Sequence, residues 1–228
     1  VLALAAPGCG HPPAIRTYEY VTAYDRMSNR YDPLLSLVYV PQAHAFDGYD
    51  GLIVGEVLVG DEWVESPERA ASYATFFRVA LTSEMLKLKT FTFVSLDKEC
   101  LKYTGAAPDG VLLVEGMITK FHMGSGLLRY LSAFIPFLEM GATDLQIEGR
   151  ITDARSGRLV AEFADRRRHL CNTPFGPNPR NFRKGYGMKI TARETAQCLA
   201  RFIDMSYYEE LAAVQVAAST AEVAASRP

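Results

Sequence analysis

The sequence lacks a long apolar run, a strong net charge and any excess of histidine or cysteine. Its 228 residues carry 24 Lys and Arg against 26 Asp and Glu, which gives a formal net charge of −2. We therefore expect no overall attraction to nucleic acid. Without 18 consecutive apolar residues, the sequence contains no candidate membrane-spanning helix. The length and apolar content fit one domain with a sizeable core.

The usual motifs of catalytic and metal sites are also missing. The four histidines and four cysteines form neither Cys-x-x-Cys nor His-Glu-x-x-His, so we expect no metal and no cofactor. Ser125 lies directly between Gly124 and Gly126, whereas a nucleophile elbow places its glycines two residues either side of the serine. No general acid with a matching base is identifiable. The sequence therefore predicts no catalytic residues.

The beginning of the chain indicates export. Residues 1–9 form a short apolar run that ends in small residues directly before Cys9, as where a secretory signal peptide meets a lipoprotein cleavage site. Ala6 and Pro7 depart from the usual pattern. We predict a signal-peptide remnant over 1–9, a lipid such as palmitate on Cys9, and a polar tether over 10–33. The alternative is a frayed terminus with an incidental cysteine.

The other cysteines allow one disulfide at most. Lipidation of Cys9 leaves three thiols, and an oxidising compartment permits two of them to pair. Cys100 and Cys171 are weakly favoured because both flank predicted loops, whereas Cys198 falls within a predicted helix. The pairing stays open.

Hydrophobic periodicity predicts an α/β (α+β) domain of two layers over residues 34–211, with two long helices on one face of a mixed five- to six-stranded sheet. The predicted helices are 66–88 and 189–211, and the predicted strands are 34–40, 51–60, 90–96, 111–121, 143–153 and 158–167. Residues 170–187 predict a long loop. The small and polar residues 212–228 predict a disordered tail.

Two local signals are the clearest. Ser66, Pro67 and Glu68 suit the start of a helix, with the serine oxygen as N-cap and proline in the first turn. Farther along, two alternating apolar and polar stretches flank the turn 154–157. This pattern predicts a β-hairpin with one face in water.

The segment 126–141 is more apolar than a loop should be, is split by Pro136 and is too short to span a bilayer as a helix. Its first interpretation is a buried crossover or core cover. The alternatives are a partner-binding patch or a segment that dips into a membrane. The predicted interaction patch consists of Leu128, Tyr130, Leu131, Phe134, Ile135, Phe137 and Leu138.

Arginines are concentrated on the predicted hairpin. Such a group is usually a solvated edge that deters strand addition. The alternative is a site for an anionic partner or lipid headgroup. The predicted basic patch consists of Arg155, Arg158, Arg166, Arg167 and Arg168.

Residues 45–210 resemble bacterial lipoproteins that contain domains of unknown function. The resemblance is carried by the strand around Val114-Glu115-Gly116, the apolar insertion that closes at Gly141, and the hairpin with Asp153-Ala-Arg-Ser-Gly157 at its turn. The layout is similar to the periplasmic domain of the curli secretion lipoprotein and to the amino-terminal domain of TolB. The curli protein has two membrane-inserting hairpins. No such pair of amphipathic hairpins is found here, so pore formation is not implied.

Together these features predict a membrane-anchored periplasmic lipoprotein that acts as a non-catalytic binding or assembly module of the cell envelope. Gly10, directly after Cys9, carries no inner-membrane retention signal, which favours the periplasmic face of the outer membrane. The expected partner is an envelope protein, a glycan or a second copy of the chain. The alternatives are a subunit of an envelope export apparatus and a small periplasmic hydrolase.

Overall fold

The computed structural model shows a six-stranded mixed sheet with two helices packed on one face. It describes residues 15, 17–31, 34–42, 45–97, 99, 110–125, 142–169 and 185–225, with side chains in the last range described as far as Tyr208. The α+β fold class predicted from hydrophobic periodicity is confirmed.

The first described element is a 3-10 turn at Tyr24–Arg26, and six strands and two helices follow it along the chain. The strands are β1 (Leu37–Tyr39), β2 (Gly51–Val59), β3 (Phe93–Ser95), β4 (Val111–His122), β5 (Thr143–Asp153) and β6 (Leu159–His169). The helices are α1 (Pro67–Leu88) and α2 (Tyr186–Ala225).

The strand order across the sheet is β1-β6-β5-β4-β2-β3. β2 runs parallel to both of its neighbours, β3 and β4, and the remaining adjacent pairs are antiparallel. Leu52, Ile53 and Val54 of β2 are fully buried, as expected of an interior parallel strand that is covered on both faces.

β5 and β6 form the predicted hairpin, with Thr143 opposite His169 at its far end. Gly157 in the turn has a φ of +71°, which glycine adopts without the steric penalty of a side chain. Oδ1 of Asp153 accepts hydrogen bonds from the backbone N–H groups of Arg155 (3.1 Å) and Ser156 (2.7 Å). These bonds explain why the turn forms at the predicted position.

Helix α1 begins as predicted after an extended Ser66, with Pro67 as its first residue. The serine hydroxyl makes no capping hydrogen bond, so the predicted side-chain cap is wrong. The Ser66 carbonyl accepts the first helical bond, from Ala70 N–H at 2.9 Å. The helix ends where Lys89 takes a left-handed conformation, φ 58°. Its buried residues recur at steps of three and four, the spacing of one helical face: Ala70, Ala74, Phe77, Leu81 and Met85.

Helix α2 is longer than predicted at both ends, since it begins at Tyr186 and runs through Ala225. Residues 212–225 are therefore helical where the sequence predicts a disordered tail. This stretch is rich in alanine, the residue with the strongest intrinsic helix preference. The predicted disorder rested on the inability of these small residues to build a core, and it left their helix preference out of account.

The core is one apolar cluster between the sheet and the two helices. Its large, fully buried side chains come from every layer and include Leu52, Phe77, Leu112, Phe121, Phe163 and Phe202. In the part of the chain that the structure describes, no helix is long and apolar enough to cross a membrane.

Candidate functional site

The face of the sheet away from the helices carries most of the buried charge. Strand alternation sends the apolar residues of β5 toward the helices and the polar ones to this opposite face. The sequence predicts a face in water, but the structure buries it. The buried polar side chains of this face are Thr119, Asp144, Gln146, Glu148, Glu162 and Arg166.

Residues 17–26, here called the clasp, cover part of this polar face. Val21 and Ala23 of the clasp are buried. The Glu162 carboxylate accepts hydrogen bonds from the backbone N–H of Thr22 (3.2 Å), the Thr22 hydroxyl (3.2 Å) and the backbone N–H of Ala23 (2.9 Å). Residues predicted as part of a free tether are therefore fastened to β6 by charge-assisted bonds.

A second contact joins the clasp to β5. Nη2 of Arg150 donates to the carbonyl oxygen of Tyr20 at 2.8 Å. The guanidinium carbon also lies 4.7 Å from the centre of the Tyr20 ring, within the range of a cation–π interaction. One arginine thus holds both the backbone and the side chain of Tyr20.

Glu148 of the polar face is fully buried, as are Thr119 and Gln146 beside it. Burial raises the pKa of its carboxyl, because the charged form loses its hydration; the nearby polar side chains of Tyr24, Thr119 and Gln146 oppose this only in part. The Gln146 amide donates to Oε1 at 2.9 Å. Burial and the nearby Glu148 likewise raise the pKa of the Tyr24 hydroxyl.

Asp144, near the end of the same face, has the opposite character. Its carboxylate accepts two hydrogen bonds from Arg166 (3.0 and 2.7 Å). It also forms an ion pair with Lys120, with 2.9 Å between Nζ and Oδ2. Burial by itself would raise the pKa of Asp144, but the two cations outweigh it and hold the pKa below its ordinary value. Asp144 is therefore a charged link between β4, β5 and β6.

The buried carboxylates of the polar face are engaged within the protein. Glu162 accepts hydrogen bonds from the clasp, and Glu148 accepts one from Gln146. The side chains of Glu65 and His122 also lie in contact, but they are 55% and 46% exposed. Solvent screens such a pair, and it lacks the desolvated surroundings of a catalytic dyad. Among the described residues, no group of three His, Cys, Asp or Glu could hold a metal ion.

The structure divides the five predicted basic-patch residues into two groups. Arg155 and Arg158 flank the hairpin turn, whereas Arg166, Arg167 and Arg168 lie at the other end of β6. A β-strand rises about 3.3 Å per residue, so Arg158, which directly precedes β6, and Arg166 are about 26 Å apart along the strand direction. The five side chains do not form one continuous surface.

Several of these arginines are engaged within the fold. Arg166 pairs with Asp144 and is 8% exposed. Arg167 pairs with Asp165 at 2.7 Å and donates to the carbonyl of Leu34 at 2.6 Å. Arg158 donates to the Tyr49 hydroxyl at 3.0 Å. Arg155 and Arg168 are exposed.

Two further predictions lie outside the described residues: the lipid on Cys9 and the apolar interaction patch within 126–141. Cys100 and Cys171 lie outside them as well. Cys198 is described, forms no disulfide and is partly buried, and burial raises the pKa of its thiol.

A groove of about 370 Å³ lies between the outer surfaces of the two helices. Phe76, Val79 and Ala80 supply its apolar wall, and Glu84, Lys87, Arg193 and Gln197 supply most of its polar rim. The Arg193 guanidinium lies 5.9 Å from the centre of the Phe76 ring. This groove leaves no signal in the sequence, because the periodicity of one helix does not show which surface lies beside it.

The clasp was missed for a different reason. Gln146, Glu148 and Arg150 alternate with apolar residues, and that pattern is the same whether the polar face meets water or a segment distant in the sequence. The one available signal was Tyr18, Tyr20, Tyr24 and Val21 in a stretch predicted as tether, since tethers seldom carry so many large side chains.

Comparison with known proteins identifies a family without assigning an activity. The family model of DUF4410, a domain of unknown function, matches residues 57–172, from within β2 to just beyond β6. The predicted resemblance to a domain of unknown function is thereby confirmed. The similarity to the curli and TolB domains stays a prediction. No curated protein matches the sequence.

Solved structures show distant similarity. A PelC dodecamer from Paraburkholderia phytofirmans is 13% identical, with a TM-score of 0.45 over 72% of this chain and 94% of its own. Protein XCC0632 from Xanthomonas campestris, of family DUF330, is 6% identical, with a TM-score of 0.46 over 71% of this chain and 87% of its own. Values this low carry no functional argument.

Proposed function

We propose that this chain, which belongs to the DUF4410 family of domains of unknown function, is a non-catalytic binding or assembly module of the bacterial envelope. In this proposal a lipid on Cys9 holds it at the periplasmic face of the outer membrane. The observation that carries the proposal is the clasp. It joins the segment that follows Cys9 to the buried charges of the sheet.

The clasp suits an anchored domain because it makes the anchor and the fold mechanically continuous. Contacts through Glu162 and Arg150 fix residues 20–23, near the middle of the stretch proposed as tether. A pull on Cys9 would therefore be transmitted to the sheet through charge-assisted hydrogen bonds rather than through a loose linker. The same contacts use the buried carboxylates that an enzyme would need for catalysis.

The helix layer offers the surface on which such a module would bind its partner. Val79 and Leu86 of α1 are 51% and 56% exposed. They are seven residues apart and so lie on one face of the helix. The groove beside Val79 combines an apolar wall with a charged rim at Glu84, Lys87 and Arg193, the mixed composition common at protein interfaces. We expect an envelope protein or a second copy of the chain there.

Metabolic labelling tests the anchoring. Cells that express the complete gene are grown with labelled palmitate, and the wild type is compared with Cys9→Ser. The wild type should be labelled and sediment with outer membranes, whereas Cys9→Ser should be unlabelled and released with the periplasm. A labelled Cys9→Ser protein, or a wild type recovered entirely without the membrane, refutes the proposal.

A further inference from the structure

The rim of the groove between the two helices has a surplus of positive charge. Nζ of Lys87 lies 2.7 Å from Oε1 of Glu84, and the Gln197 amide donates to the same oxygen at 3.5 Å. The Glu84 carboxylate is therefore engaged within the rim. The Arg193 guanidinium, which is exposed and lies near the Phe76 ring, supplies the surplus charge.

The rest of the helix layer has the same sign. Residues 67–89 and 186–208 contain seven Lys or Arg and four Asp or Glu. Val79, which is half exposed, forms part of the apolar wall of the groove. The outer surface of the helix layer therefore suits a partner that presents an apolar side chain among carboxylates.

The opposite face of the sheet presents an apolar side chain of this kind. Leu58 of β2 is 42% exposed and pairs in register with Met117 of β4, which is partly exposed. Its neighbours Val57 and Val59 pack in or against the core between the sheet and the helices. Since side chains alternate along a strand, Leu58 points away from the helices.

The chain around Leu58 is acidic. Residues 56–65 contain four Asp or Glu and no Lys or Arg, and all four acidic side chains are exposed. β3 pairs with residues 51–53 of β2 only, so no described strand lies beside the later part of β2. We call the following residues the acidic patch: Glu56, Leu58, Asp61, Glu62 and Met117.

We propose that copies of this chain associate head to tail, with the acidic patch of one copy on the helix groove of the next. The inference rests on the proposed function and names the partner of its binding surface as a second copy. Leu58 of one copy meets Phe76 and Val79 of the next. The acidic side chains beside Leu58 meet Arg193 and Lys87.

Charge and position both favour this arrangement over a two-fold dimer. Two acidic patches, or two grooves, would bring like charges together, whereas the patch and the groove have opposite charge. The two surfaces lie on opposite sides of the sheet, so they cannot meet within one chain. A copy that is bound through one surface still offers the other, and such heterologous contacts build chains or rings.

Two substitutions of exposed apolar residues test the contact. The full chain with Cys9→Ser, which carries no lipid, is studied by analytical ultracentrifugation from micromolar to millimolar concentration. We expect species larger than a dimer to form as the concentration rises. Leu58→Asp disrupts the patch and Val79→Asp disrupts the groove, so each variant, made in this chain, should be monomeric by itself.

A mixture of the two variants distinguishes head-to-tail contact from other modes. The intact patch of Val79→Asp should bind the intact groove of Leu58→Asp, which gives a dimer with one copy of each variant and nothing larger. Formation of this dimer also shows that both variants are folded.

Charge reversals at two exposed arginines supply the matched control. Arg193→Glu should raise the dissociation constant at least about tenfold at low salt, and high salt should weaken the association of the unreversed chain. Arg155→Glu, at the hairpin turn, should leave the association unchanged.

A chain that stays monomeric at millimolar concentration, an assembly that stops at a dimer, or a mixture that stays monomeric overturns the inference. An unlabelled wild type in the palmitate experiment would refute the anchor alone, because the ultracentrifugation uses a chain without lipid.

Discussion

At the scale of single residues, the hairpin turn depends on one backbone conformation. Gly157 has a φ of +71°, and a Cβ built on it would meet no atom within 4 Å. Its replacement therefore tests backbone strain without steric overlap. We expect Gly157→Val to lower the free energy of unfolding by about 1–2 kcal/mol, and Gly157→Asn by clearly less, because asparagine tolerates the left-handed region. Urea denaturation measures both, and equal losses would contradict this account of the turn.

Glu148 makes the stability depend on pH. Burial raises its pKa above the ordinary value of 4.5, so between these two values the folded chain holds the proton more tightly than the unfolded chain. By linkage, the Glu148 contribution to the free energy of unfolding is fully present below the ordinary pKa and is lost as the pH rises through the raised pKa. Glu148→Gln carries no titrating group and should not show this loss.

Urea midpoints of the two proteins at about pH 4 and about pH 8 measure the effect. On going to the higher pH, the wild type should lose stability relative to Glu148→Gln. The pKa values of Asp144 and Asp153 are lowered, so these groups favour folding as the pH rises, but they are present in both proteins and largely cancel in the difference. A difference that is independent of pH would show that Glu148 is not buried as described.

At the scale of elements, the clasp is held mainly by Glu162. Glu162→Ala leaves the buried Ala23 N–H without its acceptor, and an unsatisfied buried donor costs about 1–3 kcal/mol. We expect a loss of that size in the free energy of unfolding. Glu162→Gln keeps one acceptor oxygen and should lose less. If alanine and glutamine at this position have equal effects, the hydrogen bonds to the clasp do not contribute as proposed.

The same scale shows what could be predicted from the sequence. β5, β6 and α1 were found because each carries its own signal: strict alternation around a turn for the strands, and an apolar stripe behind Ser66-Pro67 for the helix. The clasp carries no periodicity, and its partners Arg150 and Glu162 are far from it in the sequence. Long-range pairing of this kind leaves no local pattern in the sequence. The polar face of β5 and β6 is therefore predicted to be in contact with water, although the structure buries it.

At the scale of the whole molecule, the sheet has two unlike ends. The hairpin turn is a polar tip with Arg155 and Arg158. The opposite end carries Tyr18 of the clasp, whose ring lies beside that of Trp63, and the strand ends His122 and Thr143. The pairing of β4 with β5 brings these two strand ends together, and no local pattern in the sequence shows this.

The central claim is that the clasp belongs to the fold and is not a tether, and hydrogen exchange of the full chain tests it most directly. The Ala23 amide, bonded to Glu162 at 2.9 Å, should exchange only through global unfolding, with a protection free energy equal to that of amides in the centre of β5, such as Ile147. Glu162→Ala should lower the protection of Ala23 far more than that of Ile147. A wild-type Ala23 amide that exchanges freely while Ile147 stays protected would contradict the account.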